Sequence, residues 1–215
     1  MGRPKLLDRE QILERALDVF WTRGYREASV RDLASEMGVN VATIYSEFGD
    51  KEGLYAAALS KYESEKVPLF IGALERPGAD ADTIIAVLRA FASFSESDGA
   101  PGCLITNSAV ERAPDAARSQ AALARYAERL SSAYARALEA SPSATPPTGA
   151  TPTATELANA LTATTLGLFV LIRARATPGM LHHAVDVAVA SLPTTARPRP
   201  PASDGRPSQR TEDGT

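Results

Sequence analysis

The 215-residue sequence holds one cysteine, Cys103, two histidines and one tryptophan, and aromatic residues make up only 6% of it. One cysteine excludes a disulfide within the chain, which fits a reducing compartment. The usual instruments of catalysis are missing as well. His182 and His183 are adjacent and so fall on different sides of a helix, and there is no HExxH, CxxC, GxSxG or phosphate-cradling glycine loop. Cys103 with His182 is the one nucleophile and base pairing on offer, and a buried thiol beside surface imidazoles is the plainer reading of those residues. No carboxylate stands at ligand spacing with the three, so no metal, no cofactor and no enzymatic activity is expected. The longest unbroken apolar run, Leu166 to Ile172, is far too short to cross a bilayer, and no apolar stretch follows the basic start at Arg3 and Lys5. A cytoplasmic protein with no membrane partner is expected. An excess of positive charge is also lacking: the net charge is −3, and residues 1–51 carry 8 Lys and Arg against 9 Asp and Glu. That balance argues against a general nucleic-acid coat, and any DNA contact has to come from the placement of single basic residues.

What is present is helical periodicity interrupted only by loops, which predicts an all-α fold. The most informative stretch is 29–51. Val30, Leu33, Ala34 and Met37 share one helical face, Ser29 caps the start with Asp32 completing a capping box, and Gly38 supplies a left-handed turn. Asn40 then caps a second helix, in which Ile44 and Phe48 continue the apolar set while Val41, Ala42, Thr43, Tyr45 and Ser46 face outward. This is a helix-turn-helix pattern, and its exposed second helix has the size and polarity to enter a major groove. The pattern by itself fits either DNA reading or plain helix packing. Ahead of it, Asp8 and Gln11 cap a helix over 8–23 with Ile12, Leu13, Ala16, Leu17 and Phe20 on one face, ended by Gly24. After it, Asp50 caps a helix running from Lys51 to about Lys66 that connects the two halves of the chain. Arg3 and Lys5 form either a minor-groove arm or a disordered terminus, and Arg31 is either a solvated residue or a phosphate contact.

With these flanks, residues 8–62 resemble the DNA-binding domain of the TetR family of bacterial transcriptional regulators. The resemblance rests on Ala16, Leu17, Phe20, Arg23-Gly24-Tyr25, Ser29-Val30, Leu33-Ala34, Gly38-Val39, Thr43-Ile44-Tyr45, Phe48, Lys51-Glu52 and Leu54, and covers about a quarter of the chain. It implies operator contacts at Thr43, Tyr45 and Lys51, the last two mainly to phosphates. With their neighbours, the expected DNA-binding set is Arg31, Asn40, Val41, Ala42, Thr43, Tyr45, Ser46 and Lys51. Glu47 departs from the family, which often has His there; a carboxylate repels phosphate unless it accepts from a cytosine amino group or pairs within the protein. The resemblance further implies a homodimer on double-stranded operator DNA, repression rather than activation, and release by a small-molecule effector.

Beyond residue 66, helices are expected over 69–76, 80–95, 104–113, 114–140, 154–176 and 180–192, with Pro68 and Pro178-Gly179 as interruptions. Residues 141–153 are proline-rich and read as a flexible connection, and 193–215 as a disordered tail. Aromatic residues at helical spacing most often fill a core. Beside alanine and glycine they also leave room for an enclosed space, and the resemblance implies one; its expected lining is Phe91, Phe94, Cys103, Thr106, Asn107 and Tyr126. Gly102-Cys103 resembles the helix start of a subgroup some of whose members respond to copper or reactive electrophiles. The position next to Pro101-Gly102 predicts a helix N-terminus, which lowers a thiol's pKa; an unpaired cysteine is otherwise a small buried hydrophobe. Near its end the helix over 154–176 is apolar on every side, and Arg173 suits its C-terminal dipole. One subunit cannot cover all those faces, so the last two helices are expected to form the dimer through Leu161, Leu168, Phe169, Leu171, Ile172 and Val185. The expected organisation is a DNA-binding domain over 1–50, an effector-binding and dimerisation domain over 51–192 and a tail over 193–215. The alternative is a helical small-molecule-binding or converting protein without operator binding, against which Tyr45 and Lys51 speak.

Overall fold

A computed structural model describes residues 8–94, 99–111, 117–141 and 152–192. Among these, the regular elements are all helices: α1 (Arg9–Arg23), α2 (Val30–Met37), α3 (Val41–Phe48), α4 (Lys51–Glu65), α5 (Val67–Ile71), α6 (Ala81–Phe94), α7 (Leu104–Glu111), α8 (Ala117–Glu139), α9 (Ala154–Arg173) and α10 (Pro178–Ala190). The expectations for Arg3 and Lys5, for most of the 141–153 connection and for the tail lie outside the described residues.

The first four helices start where their own sequence tells them to. Asp8 accepts from the Gln11 N–H at 2.8 Å and Gln11 returns the bond to the Asp8 N–H at 3.2 Å. Ser29 and Asp32 form the same reciprocal box at α2, Asn40 accepts from the Thr43 N–H at 2.8 Å, and Asp50 accepts from the Gly53 N–H at 2.7 Å. Each such cap satisfies backbone donors that a helix start leaves without partners. Gly38 ends α2 in the left-handed conformation (φ 69°, ψ 33°), where a side chain would be strained. Two prolines behave differently from expectation. α4 does end ahead of Pro68, at Glu65, but Pro68 itself sits in the first turn of α5, which is over by Ile71 rather than residue 76; Pro178 likewise opens α10. In a first turn the missing proline N–H has no partner to lose.

Leu17 and Phe20 of α1, Leu33 and Met37 of α2 and Ile44 of α3 are fully buried around a small core, closed from α4 by Leu54, Tyr55 and Ala58. α4 packs on α1 and α3 with one part of its surface and on α5 and α7 with another, so it belongs to both halves of the chain. In the second half α8 and α9 pair along their length, and α10 packs on α6 and α9. Phe70, Phe91 and Phe169 bring α5, α6 and α9 together, with ring centroids 5.0 to 6.4 Å apart. Arg129 of α8 grips Glu75 through two bonds of 2.5 and 2.7 Å, and the guanidinium holds the Glu75 carboxyl below its ordinary pKa.

Although its longest unbroken apolar run is short, α9 as a whole is long and apolar enough to cross a membrane by length and composition. One side of it packs into the core. The side against α8 buries Thr162, whose hydroxyl donates to the Ala158 carbonyl at 2.9 Å, and Thr165, whose hydroxyl bonds the Tyr134 hydroxyl at 2.9 Å.

Candidate functional site

The exposed surface of the helix pair is shaped by α3. Asn40 Oδ1 accepts both the Thr43 N–H at 2.8 Å and the Thr43 hydroxyl at 3.1 Å, and the Ser46 hydroxyl donates to the Thr43 carbonyl at 3.1 Å. These bonds orient the polar residues and leave the Asn40 amide hydrogens and the Thr43 lone pairs as recognition groups. Ala42, Tyr45 and Ser46 are exposed, Tyr45 at 52%. Val41 is half-buried against the core, so it supports the helix instead of facing wholly outward. Arg31 is exposed on the first turn of α2. Lys51, the first residue of α4, is half-buried with its ammonium 4.2 Å from the Tyr25 ring centroid, which places a cation beside the end of α3.

Glu47 is the one charged side chain on α3, and it is paired within the protein. Arg9 Nε lies 3.9 Å from its carboxylate, while the Arg9 guanidinium covers the Phe48 ring at 4.8 Å. Both partners are about half-exposed, so the pair contributes little to stability. Its effect is local: it offsets a negative charge on the surface that would face phosphates.

A second constellation joins this head to the rest of the chain. The Trp21 indole N–H donates to the Gly102 carbonyl at 2.9 Å. Arg173, at the end of α9, donates to the Thr22 carbonyl at 2.7 Å, the Trp21 carbonyl at 3.2 Å and Glu111 Oε1 at 3.1 Å. Glu111, at the end of α7, accepts in turn from the Tyr25 N–H at 3.0 Å. Arg173 thus serves the C-terminal carbonyls of α1, not only the dipole of its own helix. Gly24 (φ 86°) makes this possible, because a Cβ there would collide with the Glu111 carboxylate. The partners are separated by more than 60 residues in sequence, and nothing in the sequence singles them out except that Glu111 and Arg173 are opposite charges closing two helices.

The expected pocket lining divides into two groups. Phe91 and Phe94 belong to the aromatic cluster round Phe70. Cys103, Thr106 and Tyr126 converge with a residue that was not expected, Tyr62 of α4, whose hydroxyl approaches the Cys103 thiol and the Leu104 backbone without reaching hydrogen-bonding geometry. Asn107 does not join them, since its amide donates to the Pro101 carbonyl at 2.7 Å and braces the loop before α7. Cys103 does stand at a helix start, but it is 1% exposed, and burial pushes its thiol pKa up against the opposing pull of nearby N–H groups. The depressed pKa expected from its position is therefore not found. Among the described residues no group of three or more His, Cys, Asp or Glu is placed to hold a metal ion.

The expected dimer residues also need correction. Leu161, Leu168, Phe169, Ile172 and Val185 are at most 3% exposed within one chain, packed into its own core; only Leu171 is half-buried. The outward apolar positions of the last two helices are Ala160, Ala163 and Val170 of α9 and Met180, Val187 and Ala190 of α10. Periodicity cannot rank the faces of a helix that is apolar all round, and here the largest side chains fill the interior.

A capped, glycine-turned helix pair with an exposed second helix, supported by α1 and α4, defines a helix-turn-helix DNA-binding protein. Residues 12–58 match the model of the bacterial regulatory proteins of the tetR family. The repressor ComR of Escherichia coli (strain K12) is 34% identical over 53% of this chain and 55% of its own length, and the uncharacterised regulator YezE of Bacillus subtilis (strain 168) is 33% identical over 61% and 66%. The alignments thus span between about half and two thirds of those curated relatives. A TetR-family regulator, CifR, solved as a cysteine mutant in complex with 26-base-pair operator DNA, superimposes with a TM-score of 0.72 over 89% of this chain and 100% of its own, at 27% identity. The chain belongs to the TetR family.

Proposed function

We propose that this protein is a cytoplasmic transcriptional repressor that acts by binding and not by catalysis: a homodimer holds a palindromic operator and lets go when a small molecule binds among α4, α7 and α8. The observation that carries the reading is the surface of α3, where Asn40, Thr43, Tyr45 and Ser46 are presented on a helix locked by its own cap. Support comes from the operator complex of CifR and from the name of ComR as a repressor. Lys51 and Arg31 supply phosphate contacts, and the Arg9–Glu47 pair keeps repulsion down. The dimer forms through the outward face of α9 and α10, with Val170 and Val187 near its centre. A two-fold dimer matches a palindrome whose half-sites are one helical turn, about 34 Å, apart.

Release is a shift between two placements of the reading heads. α4 carries Tyr62 at the effector side and Lys51 at the DNA side. The joint of Trp21, Glu111 and Arg173 offers a second connection, because α7 and the 102 carbonyl hold the end of α1 directly. Movement of α7 then reaches the head without passing along α4.

Selection of bound duplexes from a random pool tests the function. A palindromic consensus is expected, with Tyr45→Ala and Lys51→Ala weakening binding to all sequences and Thr43→Ala changing base preference. Binding that ignores sequence would overturn the reading.

A further inference from the structure

Among the buried polar groups of the described residues, three hydroxyls gathered at one place stand apart. Tyr62, Thr106 and Tyr126 are each at most 3% exposed, and the oxygen of each lacks a hydrogen-bond partner of proper geometry. Other buried hydroxyls are satisfied within the chain: Tyr134 pairs with Thr165, Ser108 donates to the Ile105 carbonyl and Thr162 to Ala158, while Tyr55 lies apart from the trio, against Phe20 and Tyr25. The three come from different helices, α4, α7 and α8, and meet round the Cys103 thiol. Buried polar groups in native proteins are almost always paired, so an unpaired trio converging from three helices points to a partner that is not part of the chain.

The surroundings restrict that partner. Among the described residues none of the buried polar ones is charged. The guanidinium whose charge acts on Tyr126 is that of Arg129, which is committed to Glu75. An ionic molecule would lose its hydration with no counter-charge to meet it. The Tyr62 ring stands edge-on to Trp21 at 5.2 Å and beside Phe70 at 6.5 Å, so the neighbouring walls are flat and apolar. Resting on the effector-release reading above, we propose that Tyr62, Thr106 and Tyr126 recognise an uncharged, compact molecule with an apolar body and a carbonyl-type oxygen, onto which these hydroxyls donate. Burial keeps the Cys103 thiol protonated and therefore a poor nucleophile, so recognition is non-covalent and the thiol serves as a weak donor and as wall. The occupant is reported to α1 by Tyr62, through Trp21, the sole tryptophan.

The test uses the full-length protein without DNA and four probes of similar size: acetophenone, benzoate, benzylammonium and ethylbenzene. Saturation-transfer NMR reads binding and Trp21 emission reads the response. Acetophenone is expected to bind and to change the emission, benzoate and benzylammonium are not, and Tyr126→Phe or Thr106→Val should weaken acetophenone by about five- to tenfold while leaving ethylbenzene unaffected. Tyr126→Phe should melt no lower than the parent, because its hydroxyl gives up no bond. Charged probes binding as well as acetophenone, acetophenone indifferent to both substitutions, no transfer from acetophenone, or a lowered melting temperature in Tyr126→Phe would each overturn the proposal. Operator binding of the same samples, measured separately, shows whether the regulator reading stands without it.

Discussion

The reading head and the joint behind it are built on opposite principles. In the head, each of the first four helices begins with a side chain bonded three residues ahead, at Asp8, Ser29, Asn40 and Asp50. In the joint, Trp21 meets Gly102 and Arg173 meets Thr22 across 81 and 151 residues. Local bonds make a head that keeps its shape wherever it is placed; long-range bonds make its placement depend on helices at the other end of the chain. A regulator needs both, since the surface that reads DNA must stay constant while its position changes.

The largest effect is expected in the core. Phe169→Ala should cost about 3–5 kcal/mol in urea unfolding, because its ring is fully buried against Phe91 and Phe70, whereas Val170→Glu one residue on should leave the fold intact and produce monomers by light scattering. Next comes the joint. Arg173→Met removes three bonds, one of them to a carboxylate, and should lower stability by about 1.5–3 kcal/mol and shift Trp21 emission to the red. Asn40→Ala should cost about 1 kcal/mol through the lost cap of α3, with no change in Trp21 emission.

Acid probes both regions. The Glu75 carboxyl beside Arg129 and the Asp32, Asp80 and Glu156 carboxyls bonded at helix starts are all held below their ordinary pKa. Such groups stabilise the fold above the ordinary carboxylate range and lose that contribution as pH falls through their folded values, so melting temperature should drop below about pH 4.5. At the other end, the Cys103, Tyr62 and Tyr126 pKa values are raised by burial, so their deprotonation favours the unfolded chain and stability should fall as pH rises past about 9. The smallest effect is expected at Glu47→Gln, a severalfold gain in operator affinity with unchanged stability, since it removes a repulsive charge whose exposed partner contributes little.

The same division explains what was legible in the sequence. The caps at Asp8, Ser29, Asn40 and Asp50 and the left-handed Gly38 were readable because each is decided within four residues. Pro68 and Pro178 were misplaced because a proline marks a helix boundary without saying on which side the helix lies. Phe169 was assigned to the wrong surface because α9 is apolar all round. Cys103 shows two local signals in competition, a helix start that favours thiolate and a packing environment that does not, and only the fold reveals that burial outweighs the dipole. Tyr62, Glu111 and Arg173 acquire their roles entirely from partners distant in sequence.

The decisive measurement is a double-mutant cycle on operator affinity with Glu111→Gln, Arg173→Met and the pair, using the duplex found by selection. If the joint sets the position of the reading head, each single variant shifts affinity by threefold or more and the double variant falls short of the two effects combined, because the pair shares one contact. Affinity equal to the parent in all three variants would mean that the head is positioned by α4 alone and that the joint transmits nothing.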